Sequence, residues 1–161
     1  MAAVDYFLKI EGIEGESQDS KHKSEIELLS FSWGAQQSGT FATGGGGGAG
    51  RVTMQDFSFT KQLDKASPKL LLACASGEHI KSAILTARKA GKEQQEYLKV
   101  TFSDVLVSSY SPGGSTGETI PLEQVALNFA KIEVDYKEQK ADGTLGGSVK
   151  SGWDLKQNKA V

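Results

Sequence analysis

Cysteine is almost absent from the chain: Cys74 is the single one in 161 residues. One thiol excludes an intramolecular disulfide and fits folding in a reducing compartment. Histidine is nearly as scarce, and His22 and His79 lie too far apart to sit at ligand spacing for a metal. Neither sign of charge predominates, since 18 Lys and Arg against 20 Asp and Glu leave a net charge of −2. The charges are mixed along the chain with no basic stripe to neutralise phosphates, so nucleic acid is not an expected partner. No apolar run approaches the length of a membrane span, which argues against membrane insertion. The first ten residues, Met1 to Ile10, hold Asp5 and Lys9 within a short apolar stretch and lack a positive leader. That is unlike a signal peptide. The expectation is a soluble chain made in the cytoplasm, leaving the cell, if it does, without the usual address.

A chain of this length is expected to form one domain over residues 1–161, burying roughly 70% of its unfolded surface. One helix stands out, at about residues 65–76. Ser67 is a good N-cap, Pro68 suits the first helical position, and Gly77 supplies a left-handed end. Asp64 competes with Ser67 for the cap. Leu70, Leu71, Ala73 and Cys74 make an apolar stripe at helical spacing, with Leu63 a candidate neighbour. Cys74 reads as core filler.

Elsewhere the periodicity is that of strands. Val4 to Ile10 places Tyr6, Leu8 and Ile10 on one face, and Gly12 to Lys23 follows as a solvated loop. Glu25 to Trp33 reads as a second strand with apolar residues on both faces. Val52 to Thr60, His79 to Ala90, Tyr97 to Tyr110, Leu122 to Tyr136 and Val149 to Leu155 complete the set, with a turn at Gly91-Lys92 and Trp153 buried. In the fourth of these, Val125, Leu127 and Phe129 share one parity while Ile132, Val134 and Tyr136 share the other. A slip of one in a period-two pattern predicts a bulge near Ala130–Lys131, and bulges bend sheets toward closure.

From Gln36 to about residue 51 the chain is a long Gly-rich loop with five consecutive glycines, Gly44, Gly45, Gly46, Gly47 and Gly48. It lacks a Gly-Lys-Ser/Thr ending and leads into a strand, so it is no phosphate-binding loop. Two readings stay open: a flexible excursion that costs entropy to order, or a long arm that orders against a neighbouring subunit. No catalytic, cofactor-binding or metal-binding residue is expected: no turn poises a serine as nucleophile, and the acidic run Glu11, Glu14, Glu16 reads as surface.

Taken together, Asp5–Ser17, Leu29–Gly34, the Gly44–Gly50 run leading to Gln55–Lys61, Ala66–Pro68, Ala73–Cys74 and Gly77 resemble the haemolysin-coregulated protein (Hcp) family. The likeness continues through Leu127–Glu133, Tyr136–Gly143 and Gly152–Leu155, so it spans the chain in order. It implies a mainly β fold, a small β-barrel of two antiparallel sheets with one flanking helix. It also implies the tube subunit of a bacterial type VI secretion system. Such subunits form homo-hexameric rings that stack into a hollow tube, inside a contractile sheath and under a spike protein, and carry small effector proteins. On that reading the glycines Gly44–Gly48 reach the next ring. Phe31 and Trp33 take the core, so Ser32 and, less securely, Ser30 point the other way and are candidates to line the lumen, the alternative being the outer wall or a subunit contact. The competing expectation is a β-barrel enzyme or ligand-binding domain whose pocket the sequence hides.

Overall fold

In the computed structural model, which describes residues 4–39, 51–89 and 94–161, antiparallel strands dominate. The order is β1 (Val4–Ile10), β2 (Ile26–Leu28), β3 (Ser30–Gln36), β4 (Thr53–Gln62), α1 (Ser67–Ser76), β5 (Ile80–Lys89), β6 (Glu96–Gly113), β7 (Leu122–Gln139), β8 (Leu145–Asp154) and β9 (Lys159–Ala160). The Gly44–Gly48 loop and the turn expected at Gly91-Lys92 lie outside the described residues. Across the sheet the strands run β2-β1-β5-β6-β7-β4-β3, with β8 on β7 beyond the end of β4, and β9 on β8. The expected pair of sheets is thus one hydrogen-bonded sheet, because β6 and β7, 18 residues each, are long enough to belong to both halves. Among the described residues no ladder closes it into a barrel. Its two ends are nonetheless neighbours in the chain, since β2 and β3 are separated by Leu29 alone.

That junction corrects the single strand expected over Glu25–Trp33. The Leu29 N–H donates to the Thr60 carbonyl (2.8 Å), and the chain crosses there from one end of the sheet to the other. Ile26 and Leu28 face the core before the crossing, and Phe31 and Trp33 pack on it afterwards. Apolar residues on both faces of one run were the trace of a break in the strand.

The core is a continuous apolar cluster with an aromatic spine. Phe57 packs against Phe59 (5.7 Å between ring centres), Phe102 (4.7 Å) and Phe31 (6.0 Å), and Tyr6 meets Phe31 edge-on at 5.0 Å. The parity change expected in β7 is present, as Phe129 and Ile132 are both buried. Its cause is broader than a bulge in one strand. β6 and β7 keep register across it, with Phe102↔Ile132 and Val105↔Phe129, so both strands kink together. Asp104 supplies the kink with a left-handed φ of 53°. The register shift between the two strands lies instead at Val107/Ser109.

The helix begins and ends close to expectation, with Gly77 left-handed at φ 66°. Its buried residues are Ser67, Leu70 and Ala73, whereas Leu71 and Leu72 are exposed, Leu63 is exposed beside it, and Cys74 is half-buried. Burying one leucine such as Leu70 contributes about 1.5–3 kcal/mol. Ser67 is not the N-cap; Ala66 holds that place with no side-chain bond. The Ser67 hydroxyl is engaged elsewhere, donating to Glu123 Oε1 (2.5 Å) and accepting from the Asp64 N–H (3.0 Å).

Beneath the helix start lies a charged cluster that the sequence reading missed. Lys61 on β4 and Glu123 on β7 are cross-strand partners, both shut off from solvent, with Nζ 2.6 Å from Oε1. Lys61 also donates to Asp64 (2.8 Å) and Ser67 (3.2 Å), and the Tyr110 hydroxyl donates to Glu123. Burial alone raises the Glu123 pKa, but the bonds from Lys61, Ser67 and Tyr110 outweigh it and hold the carboxyl below its ordinary value. Tyr110, driven by burial and the adjacent carboxylate, is pushed up to about 12.

Removing one member strands a buried charge. Lys61→Met is expected to cost about 3–5 kcal/mol in urea unfolding, and Lys61→Met with Glu123→Met should recover much of that loss. A double variant as unstable as the single one would show that the pair is not the dominant interaction.

Candidate functional site

The strands β3 and β4 have two contrasting faces. Phe31, Trp33, Phe57 and Phe59 pack on or in the core, and the alternate residues Ser30, Ser32, Ser58 and Thr60 face away from it. Register carries this outer character sideways. Ser32 pairs with Ser58, Ser58 with Ala126, and Ala126 with Ser109 on β6. One step along, Ser30 pairs with Thr60, Thr60 with Gln124, and Gln124 with Ser111. Cross-strand partners share a face, so two rows of neutral side chains, all short except Gln124, cross four strands. Ser30 and Ser32 stand where the sequence placed them, exposed and opposite the aromatics.

One carboxylate borders this wall. Asp56 accepts from Ser108 Oγ (2.6 Å) and Asn128 Nδ2 (2.9 Å), so its charge is partly satisfied by neutral donors. Nothing in the rows is arranged as nucleophile, base and orienting group. Ser67, Lys61 and Glu123 do lie within bonding distance of one another, but Ser67 is 2% exposed and no substrate reaches it. Among the described residues no group of three His, Cys, Asp or Glu side chains is placed to hold a metal ion.

The family model for "Type VI secretion system effector, Hcp" matches residues 7–136 of the chain. The chain belongs to the Hcp family. Protein hcp1 of Pseudomonas aeruginosa is 56% identical over 158 residues, covering 97% of this chain and 98% of that protein. The crystal structure of Hcp1 from Salmonella typhimurium is 44% identical and superposes with a TM-score of 0.85, covering 99% of this chain and 100% of the other. A structure described as a type six secretion system protein reaches a TM-score of 0.93 at 33% identity, over 99% of this chain and 100% of its own. This Hcp chain is therefore a type VI secretion protein in sequence and in fold.

A second polar cluster fastens the loop between β1 and β2 of this Hcp protein, and corrects the expectation that Gly12–Lys23 is simply solvated. His22 stacks on Phe7 (4.5 Å, planes 10° apart), with Nδ1 2.9 Å from Glu25 and Nε2 2.6 Å from Glu96. Arg88, 3% exposed, lies over the same Phe7 ring and donates to both Asp19 oxygens (2.6 and 2.9 Å). Gly15 passes so near β2 that a Cβ there would meet the Glu25 carbonyl at 2.6 Å, which requires glycine. The Arg88 guanidinium, helped by the backbone N–H groups of Lys21 and His22, lowers the Asp19 pKa to about 2 against burial.

Because the folded pKa lies below the ordinary 3.8, the Asp19 contribution is complete above about pH 5 and is lost as pH falls through 2. Asp19→Asn should therefore lower thermal stability at pH 7, with the gap to the parent protein closing between about pH 4 and pH 2. A gap that stays constant across that window would show that Asp19 acts through packing rather than charge.

Proposed function

We propose that this protein is the tube subunit of a bacterial type VI secretion system. Six copies form a ring, rings stack into a hollow tube, and sheath contraction expels the tube beneath its spike. The chain is then made in the cytoplasm and exported by this route without a signal peptide. The observation that carries the reading is the end-to-end likeness to Hcp proteins in sequence and fold. A ring of identical subunits uses two different patches per protomer, closed by rotation, and stacking uses a further pair that does not close. The role is structural rather than enzymatic, and needs neither metal nor nucleotide to assemble.

We further propose that the neutral wall around Ser32, with Ser30 beside it, lines the lumen and receives small effector proteins. Short uncharged side chains impose no strong charge pattern on cargo, which suits a channel that admits varied proteins. The glycines Gly44–Gly48 belong to the contact between rings on this reading.

Light scattering with negative-stain microscopy tests the assembly: a ring of six subunits, unchanged by chelator, is expected, and a monomer would reject the tube. Replacing Ser32 with Gln should leave ring mass and melting temperature unaltered while reducing effector recovered in pull-down, because the side chain is exposed. Normal recovery by an intact Ser32→Gln ring would move the cargo surface elsewhere. Deleting Gly44–Gly48 should spare the far-ultraviolet circular dichroism and the ring but abolish stacking and secretion. An unfolded deletion variant would overturn that assignment.

A further inference from the structure

We infer that Asp56 gives the outer wall of β3, β4, β7 and β6 a preference for cargo that presents lysine or arginine. The inference rests on the lumen reading and deepens it, by naming the chemistry of the surface that docks there. The two rows that begin at Ser30 and Ser32 hold no charge, and a third row lies beside them. In it Leu106 pairs with Asn128, whose Nδ2 donates to Asp56 Oδ1 (2.9 Å). Asp56 carries the single charge of the three rows.

Two insertions bring this carboxylate to its place. Between Ser32↔Ser58 and Gly34↔Gln55, β4 takes three steps where β3 takes two, so its extra residue falls at Asp56–Phe57. Between Val107↔Leu127 and Ser109↔Ala126, β6 takes two steps where β7 takes one, which makes Ser108 the extra residue. An inserted residue of this kind re-aims a side chain, and such bulges gather beside functional sites. The two insertions flank β7 and meet over it, where Ser108 Oγ donates to Asp56 Oδ2 (2.6 Å).

These bonds by themselves describe a brace between strands. A brace needs an acceptor but no charge, and here the charge is left standing. Both donors are neutral, and Asp56 has no ion pair among the described residues. Glu123 and Asp19, by contrast, each sit against a cation. An ionised carboxylate offers about four acceptor positions, so about two stay open for a partner. In a ring of identical copies, each contributes one such carboxylate to the same channel. A cleft lined by one sign of charge concentrates the opposite sign, so a cationic segment of cargo is the occupant that fits.

The probes are two dye-labelled peptides of one Gly- and Ser-rich sequence, the first carrying lysines where the second carries glutamates. Fluorescence anisotropy on rings of the full chain reads both affinities at low salt and in strong salt. An exposed ion pair is worth up to about fivefold, so several copies acting together should favour the lysine probe by at least about fivefold. That preference should fall below about twofold in roughly 1 M salt, where screening acts within about 3 Å. Asp56→Asn keeps the shape of the side chain and should cut the low-salt preference below about twofold with ring mass unchanged. Asn128→Lys sets an ammonium against the carboxylate and should do the same. Glu27→Gln removes an exposed acid on β2, at the far end of the sheet, and should leave the preference intact.

Equal binding of the two probes by the parent ring, or a preference that survives in an intact ring of either wall variant, overturns the inference. A Glu27→Gln ring that loses the preference as fully would trace it to net charge and overturn it too. Failure of both wall variants to assemble would leave Asp56 a brace and reject the cargo role. A parent chain that stays monomeric, yet shows a preference lost in Asp56→Asn, would keep the cation site and sink the tube.

Discussion

An ion pair with no access to water, Lys61 to Glu123, sets the register of the most crowded part of the sheet. Buried pairs are poor sources of net stability, because desolvation offsets most of the attraction. Their effect is selective. Slipping β4 by one residue against β7 would turn Lys61 outward and leave Glu123 charged, buried and alone, a penalty no aliphatic pair could impose. Four elements meet at this point: β4 and β7 through the pair, α1 through Ser67, and β6 through Tyr110. Thr60, the residue before Lys61, receives the Leu29 N–H at the crossing between the two ends of the sheet. The cluster therefore fixes where the sheet curls as well as where the helix docks.

How much of this was legible in the sequence depended on the range of the interaction responsible. Period-two patterns are local, and they placed β1 at its observed bounds and put Phe31 on the core side. The left-handed Gly77 and the start of the helix were equally local. Ser67 failed as a cap because partners on β4 and β7, far away in sequence, outbid the helix N-terminus for its hydroxyl. The two buried charges did leave a signal. Lys61 shares the parity of Phe57 and Phe59, and Glu123 that of Val125 and Leu127, so the pattern had already put both inside. Composition argued the other way, since Lys and Glu are almost never fully buried unless paired, and the pairing was not visible. The break at Leu29 was hidden for a similar reason: nothing in the residue itself marks a chain leaving one end of a sheet for the other.

The candidate cargo wall was legible in part. Alternation alone gave Ser30 and Ser32 their outward direction, but the rows they begin came from register. Ser58, Thr60, Ala126, Gln124, Ser109 and Ser111 are scattered across the sequence and become one surface only because β3, β4, β7 and β6 are neighbours. The shift at Val107/Ser109 matters here, because it adds one residue to β6 and so decides which serines line up with Ala126 and Gln124. A reading of β6 alone had no means of locating that step.

The same alternation separates what stabilises the protein from what faces away from its core. On β4, Phe57, Phe59 and Lys61 lie inside while Ser58 and Thr60 lie outside, one residue apart along the chain. Inner substitutions alter packing or strand a charge, with costs of several kcal/mol. Outer ones exchange one solvated short side chain for another and usually stay within about 0.5 kcal/mol. A surface of that kind can change its chemistry at little cost to folding, provided the backbone rows stay in register. Register is what the Lys61–Glu123 pair enforces, on the very strands that carry the wall. The charge cluster is thus the condition under which the outer face is free to vary, and the two features are one arrangement seen from opposite sides of the sheet.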